Sequence, residues 1–262
     1  MPTLFERILV PLDGSPQAES ILYQAQKLLC GRKSEVILFH AADPASSPNP
    51  EALGKYLKGV GNRLTPFGAT VKQVTRTGPM ETALSETIAT ENISLVALSS
   101  HGQRTAPGTP VAGTVELLAR TSPIPVLVSR AFQPGDDGQP VPARCEPSNI
   151  RRILVPFGSG AGDAALPYAE ELARLWDARI IVLRLDPALP EGAMETPAAD
   201  PAANQLSSAG LETTALAVGG DWLSAILGFG RPSAADLIAL SGDARITDGV
   251  LKDSLLPTLL VR

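Results

Sequence analysis

The sequence predicts an α/β fold built twice, as two doubly wound domains, each a five-stranded parallel sheet with helices on both faces. Two observations carry this. Short, β-branched and nearly continuous apolar runs, such as ILVPL at 8–12, EVILFHA at 35–41 and SLVAL at 94–98, alternate with longer amphipathic stretches. Such runs belong to strands covered on both faces, which points to a parallel sheet. The pattern also occurs twice: RILVP stands at 7–11 and again at 152–156, and PVLVSR at 125–130 parallels PTLLVR at 257–262. Between these ends, GRKSEVILFHAADP (31–44) parallels DARIIVLRLDP (177–187), and ISLVALSSHG (93–102) parallels ADLIALSGDA (235–244). Repeats of this length indicate duplicated domains, not a short-period solenoid.

In the first half, residues 1–130, strands are expected near 7–12, 35–41, 69–75, 94–99 and 125–130. Helices are expected near 16–30, 50–64, 79–91 and 114–121. Ser15-Pro16 reads as a helix start, with serine as N-cap and proline at the first helical position. Thr77-Gly78-Pro79 offers a similar start for the third helix. Residues 131–150, AFQPGDDGQPVPARCEPSNI, are rich in proline and glycine and lack apolar periodicity, so they read as an extended tether. The second half, 151–262, is thinner: 186–204, DPALPEGAMETPAADPAAN, stands in place of most of a helix. A partly mobile loop and a short remnant helix are expected there.

Composition narrows the function. Apolar residues make up 44% and charged residues 19%, enough to fill a core. The net charge of −5 argues against a general nucleic-acid binder, which would show a basic face; Arg151-Arg152 reads as a solvated strand start. The two cysteines, Cys30 and Cys145, form no C-x-x-C pair and have no histidine nearby, so no metal site is expected and a reducing cytoplasm fits. No basic stretch followed by a long apolar run opens the chain, and no apolar run approaches the ~18 residues that span a bilayer. A soluble, cytoplasmic protein without a membrane partner is expected.

The stretches ILVPLDGS, VILFHA, Gly78-Pro79 and SLVALSSHGQRT…AGTVELLARTSPIPVLVSR resemble a universal stress protein domain across essentially all of 1–130. Residues 150–262 resemble the same domain more weakly, so the whole resembles a tandem universal stress protein. The resemblance implies a Rossmann-like fold of the adenine nucleotide alpha hydrolase-like kind. It also implies a stress-response regulatory module, in which many members bind ATP, with magnesium, and others bind none. The ATP-binding members use an Asp after the first strand and a loop of pattern G-x-x-G-x9-G-(S/T). Mapped onto this chain, the cofactor-binding positions are Pro11 and Asp13 after the first strand, Ala41 through its backbone, and Ser99, Gly102, Gly113, Thr114 and Val115 around the loop. No catalytic residue follows from the resemblance: His40 and His101 stand where the family carries histidine without catalysis.

Asp13 lies outside the carboxyl end of a strand, where open α/β sheets hold ligands, but Asp-Gly-Ser-Pro is also a good turn into a helix. The loop departs from the pattern twice. Ser99 replaces the first glycine, and residues 103–112 are one too many, with Gln103 the simplest insertion. One residue adds almost nothing to loop-closure entropy, yet it can shift the chain by up to about 3.3–3.6 Å, far more than a hydrogen bond tolerates. A serine forced to positive φ would cost on the order of 1 kcal/mol. Pro107 and Pro110 remove two amide donors. Thr109-Pro110 also competes with Thr114 as the helix start, and only the later start leaves amides pointing at an anion.

In the second half, Phe157-Gly158 stands where Leu12-Asp13 stood, and the loop after the fourth strand, Ser241-Gly242-Asp243-Ala244, runs only through Gly249. Asp243 and Asp248 would repel a triphosphate, so at most one ATP site is expected, in the first half. The last strands of the two halves are apolar edges, which are hazards when exposed. Setting them side by side, antiparallel, would give an intrachain pseudo-twofold; alternatively each edge pairs with another chain in a homodimer. The rival readings are a nucleotide-free interaction scaffold and an ATP hydrolase or adenylating enzyme, although DGSPQAES lacks the S-G-G-x-D-S of such adenylating enzymes.

Overall fold

A computed structural model of the chain describes residues 5–29, 33–42, 49–100, 113–130, 132–134, 140–142, 150–158, 164–229, 234–242 and 244–262. The chain divides into two compact units, Met1–Pro147 and Ser148–Arg262.

In unit 1 the elements run β1 (Arg7–Pro11), α1 (Ile21–Leu29), β2 (Glu35–Ala42), α2 (Pro50–Leu64), β3 (Thr70–Thr77), α3 (Met80–Thr90), β4 (Leu95–Ser99), α4 (Gly113–Thr121) and β5 (Val126–Ser129). Their order across the sheet is β5-β4-β1-β2-β3, and every pairing is parallel. The continuous apolar runs have the cause inferred for them: Ile8, Leu9, Val10, Ile37, Leu38, Phe39, Leu95, Val96 and Ala97 are fully buried. β3 reads differently, as TVKQVTRT, with exposed Thr70, Lys72, Gln73, Thr75 and Thr77. Polar and charged residues of this kind suit a strand at the side of a sheet, where they discourage pairing with other chains.

Local chemistry sets some helix starts. Asn49 caps α2, its side chain accepting from the Glu51 amide at 2.9 Å, with Pro50 at the first position. Ser15 also caps, its Oγ accepting from the Ala18 amide at 3.1 Å. That cap opens a single 3₁₀ turn, Ala18–Ser20, and α1 proper begins only at Ile21, later than the sequence suggests. Thr77 does not cap α3: it ends β3, Gly78 turns the chain at φ +125°, and α3 starts after Pro79 without a side-chain cap.

The segment expected to be a bare tether carries a ladder: β6 (Phe132–Pro134) pairs antiparallel with β7 (Pro140–Pro142). Gln133 pairs with Val141, and the prolines fall at strand ends, where a missing N–H is tolerated.

Unit 2 contains β8 (Arg152–Pro156), α5 (Leu166–Trp176), β9 (Arg179–Leu185), β10 (Met194–Glu195), α6 (Pro201–Ser208), β11 (Thr213–Val218), α7 (Trp222–Phe229), β12 (Leu237–Ser241), α8 (Ala244–Asp253) and β13 (Thr258–Val261). Its order is β10-β11-β9-β8-β12-β13. Five strands are parallel and β10 is antiparallel to β11, so this sheet exceeds the expected five strands by one short strand. The two units match down to single backbone bonds. Leu12 N donates to Phe39 O at 2.8 Å and Phe157 N to Leu183 O at 2.7 Å; Ser94 N donates to Arg7 O and Asp236 N to Arg152 O, both at 2.9 Å.

The stretch 186–204 is folded rather than loose. Asp186 begins a turn, its Oδ1 accepting from Ala188 N at 2.9 Å, and the chain then returns as β10. Asp200 caps α6 by accepting from Ala203 N at 2.9 Å, with Pro201 at the first position. Among the described residues no helix is long and apolar enough to cross a membrane.

Candidate functional site

The crevice of interest in unit 1 lies outside the carboxyl ends of β1 and β4. There the strand order switches, since β1 leads toward β2 on one side and β4 toward β5 on the other. Pro11 ends β1, in register with Phe39. Asp13 follows two residues later, half-buried. Its Oδ1 accepts from the Ser15 amide at 2.9 Å and from Ser15 Oγ at 2.6 Å, while Gly14 turns at φ +86°. The carboxylate thus closes an Asx turn that fixes its own position at the strand tip.

Ser99 is the last residue of β4, in register with Ser129. It keeps strand geometry and is not among the positive-φ residues, so the cost expected for replacing a glycine does not arise. Its Oγ accepts from Ser20 Oγ at 3.1 Å, which ties the tip of β4 to the turn before α1. Ser20 had no signal in the sequence, because the two residues are 79 positions apart. Ser100 then extends the ladder, its amide donating to Ser129 O at 2.8 Å.

Ala41 lies in β2, half-buried and paired with Arg76. Beside it His40 is buried, with Nδ1 2.8 Å from Leu12 O. A carbonyl can only accept, so Nδ1 carries the proton and His40 binds the β1 loop to β2. Gly113 and Thr114 begin the described span of α4, and the Val115 side chain is buried in the core, which leaves only its backbone for a ligand. Gly102, Gln103, His101 and the Thr109-Pro110 start lie outside the described residues.

The Tyr56 phenol, on α2, is held well above its ordinary value, first by burial and then by the Glu19 and Asp13 carboxylates, so it stays protonated. Glu19 is itself paired with Arg63. Among the described residues no group of three His, Cys, Asp or Glu side chains is placed to hold a metal ion.

The corresponding place in unit 2 is filled differently. Gly158, which carries no side chain, stands after β8 at φ +101° where unit 1 has Asp13. Arg184, at the register position that His40 holds in unit 1, lies over the Phe157 ring 4.5 Å from its centroid and pairs through Nε with Asp200. Burial alone would raise the Asp200 carboxyl, but hydrogen bonds from Arg184 and Ala203 and the Arg184 charge together hold it below the ordinary range. A depressed folded value stabilises above the unfolded value, and that stability is lost as pH falls through the folded one. Asp200→Asn is therefore expected to be less stable than wild type at neutral pH, with the gap closing in acid. Urea midpoints across pH, read by tryptophan fluorescence, check this; a gap constant with pH would contradict it. The same fluorescence reports unit 2 alone, because both tryptophans, Trp176 and Trp222, lie there.

Residues 4–130 match the Universal stress protein family. No curated protein matches the chain. Among solved structures, a universal stress protein from Archaeoglobus fulgidus is similar over 99% of this chain and 98% of its own, at 15% identity and a TM-score of 0.68. A functionally unknown protein from Pseudomonas aeruginosa is similar over 98% of this chain and 92% of its own, at 16% identity and a TM-score of 0.66. At these identities the likeness is one of fold, and it covers both units.

Proposed function

Residues 4–130 of this chain belong to the universal stress protein family, and on that premise we propose that the protein is a cytoplasmic stress-response binding module with one adenine-nucleotide site, in unit 1. The observation that carries this is Asp13: a carboxylate held in place by Ser15 at the tip of β1, in the switch-point crevice. Asp13 would orient the nucleoside, and the backbone at Ala41 would meet the base. Ser99, Gly102, Gly113, Thr114 and Val115 would supply hydroxyl or amide donors to the phosphates, with magnesium bound through the nucleotide. Unit 2 binds no nucleotide on this reading, because it has Phe157-Gly158 at the equivalent tip and an arginine beside it.

A second reading, a nucleotide-free scaffold, is favoured by one observation: the Asp13 and Ser99 side chains are both engaged within the chain. Isothermal titration of Mg-ATP into the chain and into Asp13→Ala separates the two. The nucleotide reading expects about one site per chain, weakened in the variant by about 10–100-fold, the range of a lost charged hydrogen bond. Equal affinity in both proteins, or no heat in either, removes it.

A further inference from the structure

We propose that unit 2 contains a receptor for a small oxyanion, built on Arg184, that the chain keeps neutralised with its own Asp200 carboxylate. Arg184 projects from the carboxyl end of β9, where one face of its guanidinium lies on the Phe157 ring. Gly158 gives it room: a Cβ there would come within 3.1 Å of Arg184 Nη1, and the φ of +101° already favours glycine. The ring and the glycine thus hold the guanidinium in one orientation before any partner arrives, which is the preorganisation that anion recognition by arginine rewards.

The pairing with Asp200 uses only part of that capacity. Asp200 meets Nε, not the paired Nη edge that grips carboxylates and phosphates bidentately. Among the described residues both Nη groups lack an acceptor, and the Arg184 side chain is 29% exposed. Asp200 is 3% exposed and is fixed by its cap to Ala203, so it is a tethered counter-ion at very high effective concentration. Its charge cancels that of the guanidinium, so a phosphate or sulfate that reaches the open Nη edge meets no net positive charge. Removing the charge while keeping the cap would open the receptor, and asparagine and serine both cap as aspartate does.

The test uses the full chain as wild type, Asp200→Asn, Asp200→Ser and the double variant Arg184→Gln/Asp200→Asn. Melting is followed by tryptophan fluorescence against inorganic phosphate and sulfate, with sodium chloride at matched ionic strength. Circular dichroism establishes which variants are folded, and the serine variant stands in if the asparagine one is not. Expected is a rise of about 4–8 °C in the single variants at roughly ten times the dissociation constant. No rise is expected in wild type or in the double variant beyond that in chloride. An anion response in wild type equal to that of the single variants would show that Asp200 excludes nothing. A folded single variant without any response, or a double variant that still responds, would show that Arg184 is not the receptor. Phosphate binding by unit 1 would be common to all four proteins, so failure of the nucleotide reading leaves these differences intact.

Discussion

Phe39→Ala is expected to destabilise unit 1 by about 3–5 kcal/mol, the range for emptying a buried aromatic position. Phe39 is fully buried in β2, between Pro11 of β1 and Val74 of β3. Its backbone carbonyl receives the Leu12 amide at 2.8 Å, so the side chain anchors the strand from which the Asp13 loop departs. Alanine keeps that backbone bond and empties the space on the sheet face. Thr75→Ala, on exposed β3, is the control and should stay within about 0.5 kcal/mol of wild type. Unit 1 has no tryptophan, so denaturant unfolding is followed by far-ultraviolet circular dichroism. A Phe39→Ala loss no larger than that of Thr75→Ala would mean that β2 is not the centre of this core.

Gly219→Ala should cost unit 2 about 3 kcal/mol, the upper end of overpacking, because the obstacle is backbone. A Cβ on Gly219 would fall onto the carbonyl oxygens of Leu189 and Pro190. The same glycine donates its amide to Ala193 O at 3.0 Å and accepts from Gly192 N at 3.1 Å, so it clasps the turn that returns as β10. A flexible side chain could step aside; a hydrogen-bonded turn cannot move without giving up these bonds and the β10 ladder. Gly228→Ala in α7 meets nothing within 4 Å and should instead be neutral or stabilising, by up to about 1 kcal/mol. Urea unfolding read through Trp176 and Trp222 compares the two, and a loss at Gly219 no greater than the change at Gly228 would show that the turn is plastic.

By itself the sequence determined the class of fold, the likeness of its two halves and most elements, because each rests on short-range periodicity, on a repeated stretch or on a single residue beside a helix start. Continuous apolar runs became parallel strands, the helical stretch near 50–64 became α2, and the replacement of Leu12-Asp13 by Phe157-Gly158 marked the second unit as different. The sequence could not show that Ser99 meets Ser20, or that His40 holds Leu12. Nor did periodicity reveal β10 within 186–204, or that Arg184 finds Asp200 sixteen positions later. These features depend on which strand tips the topology sets side by side. Partners 79 and 28 residues apart leave no local period to read, so they appear only once β4 and β2 have both paired with β1.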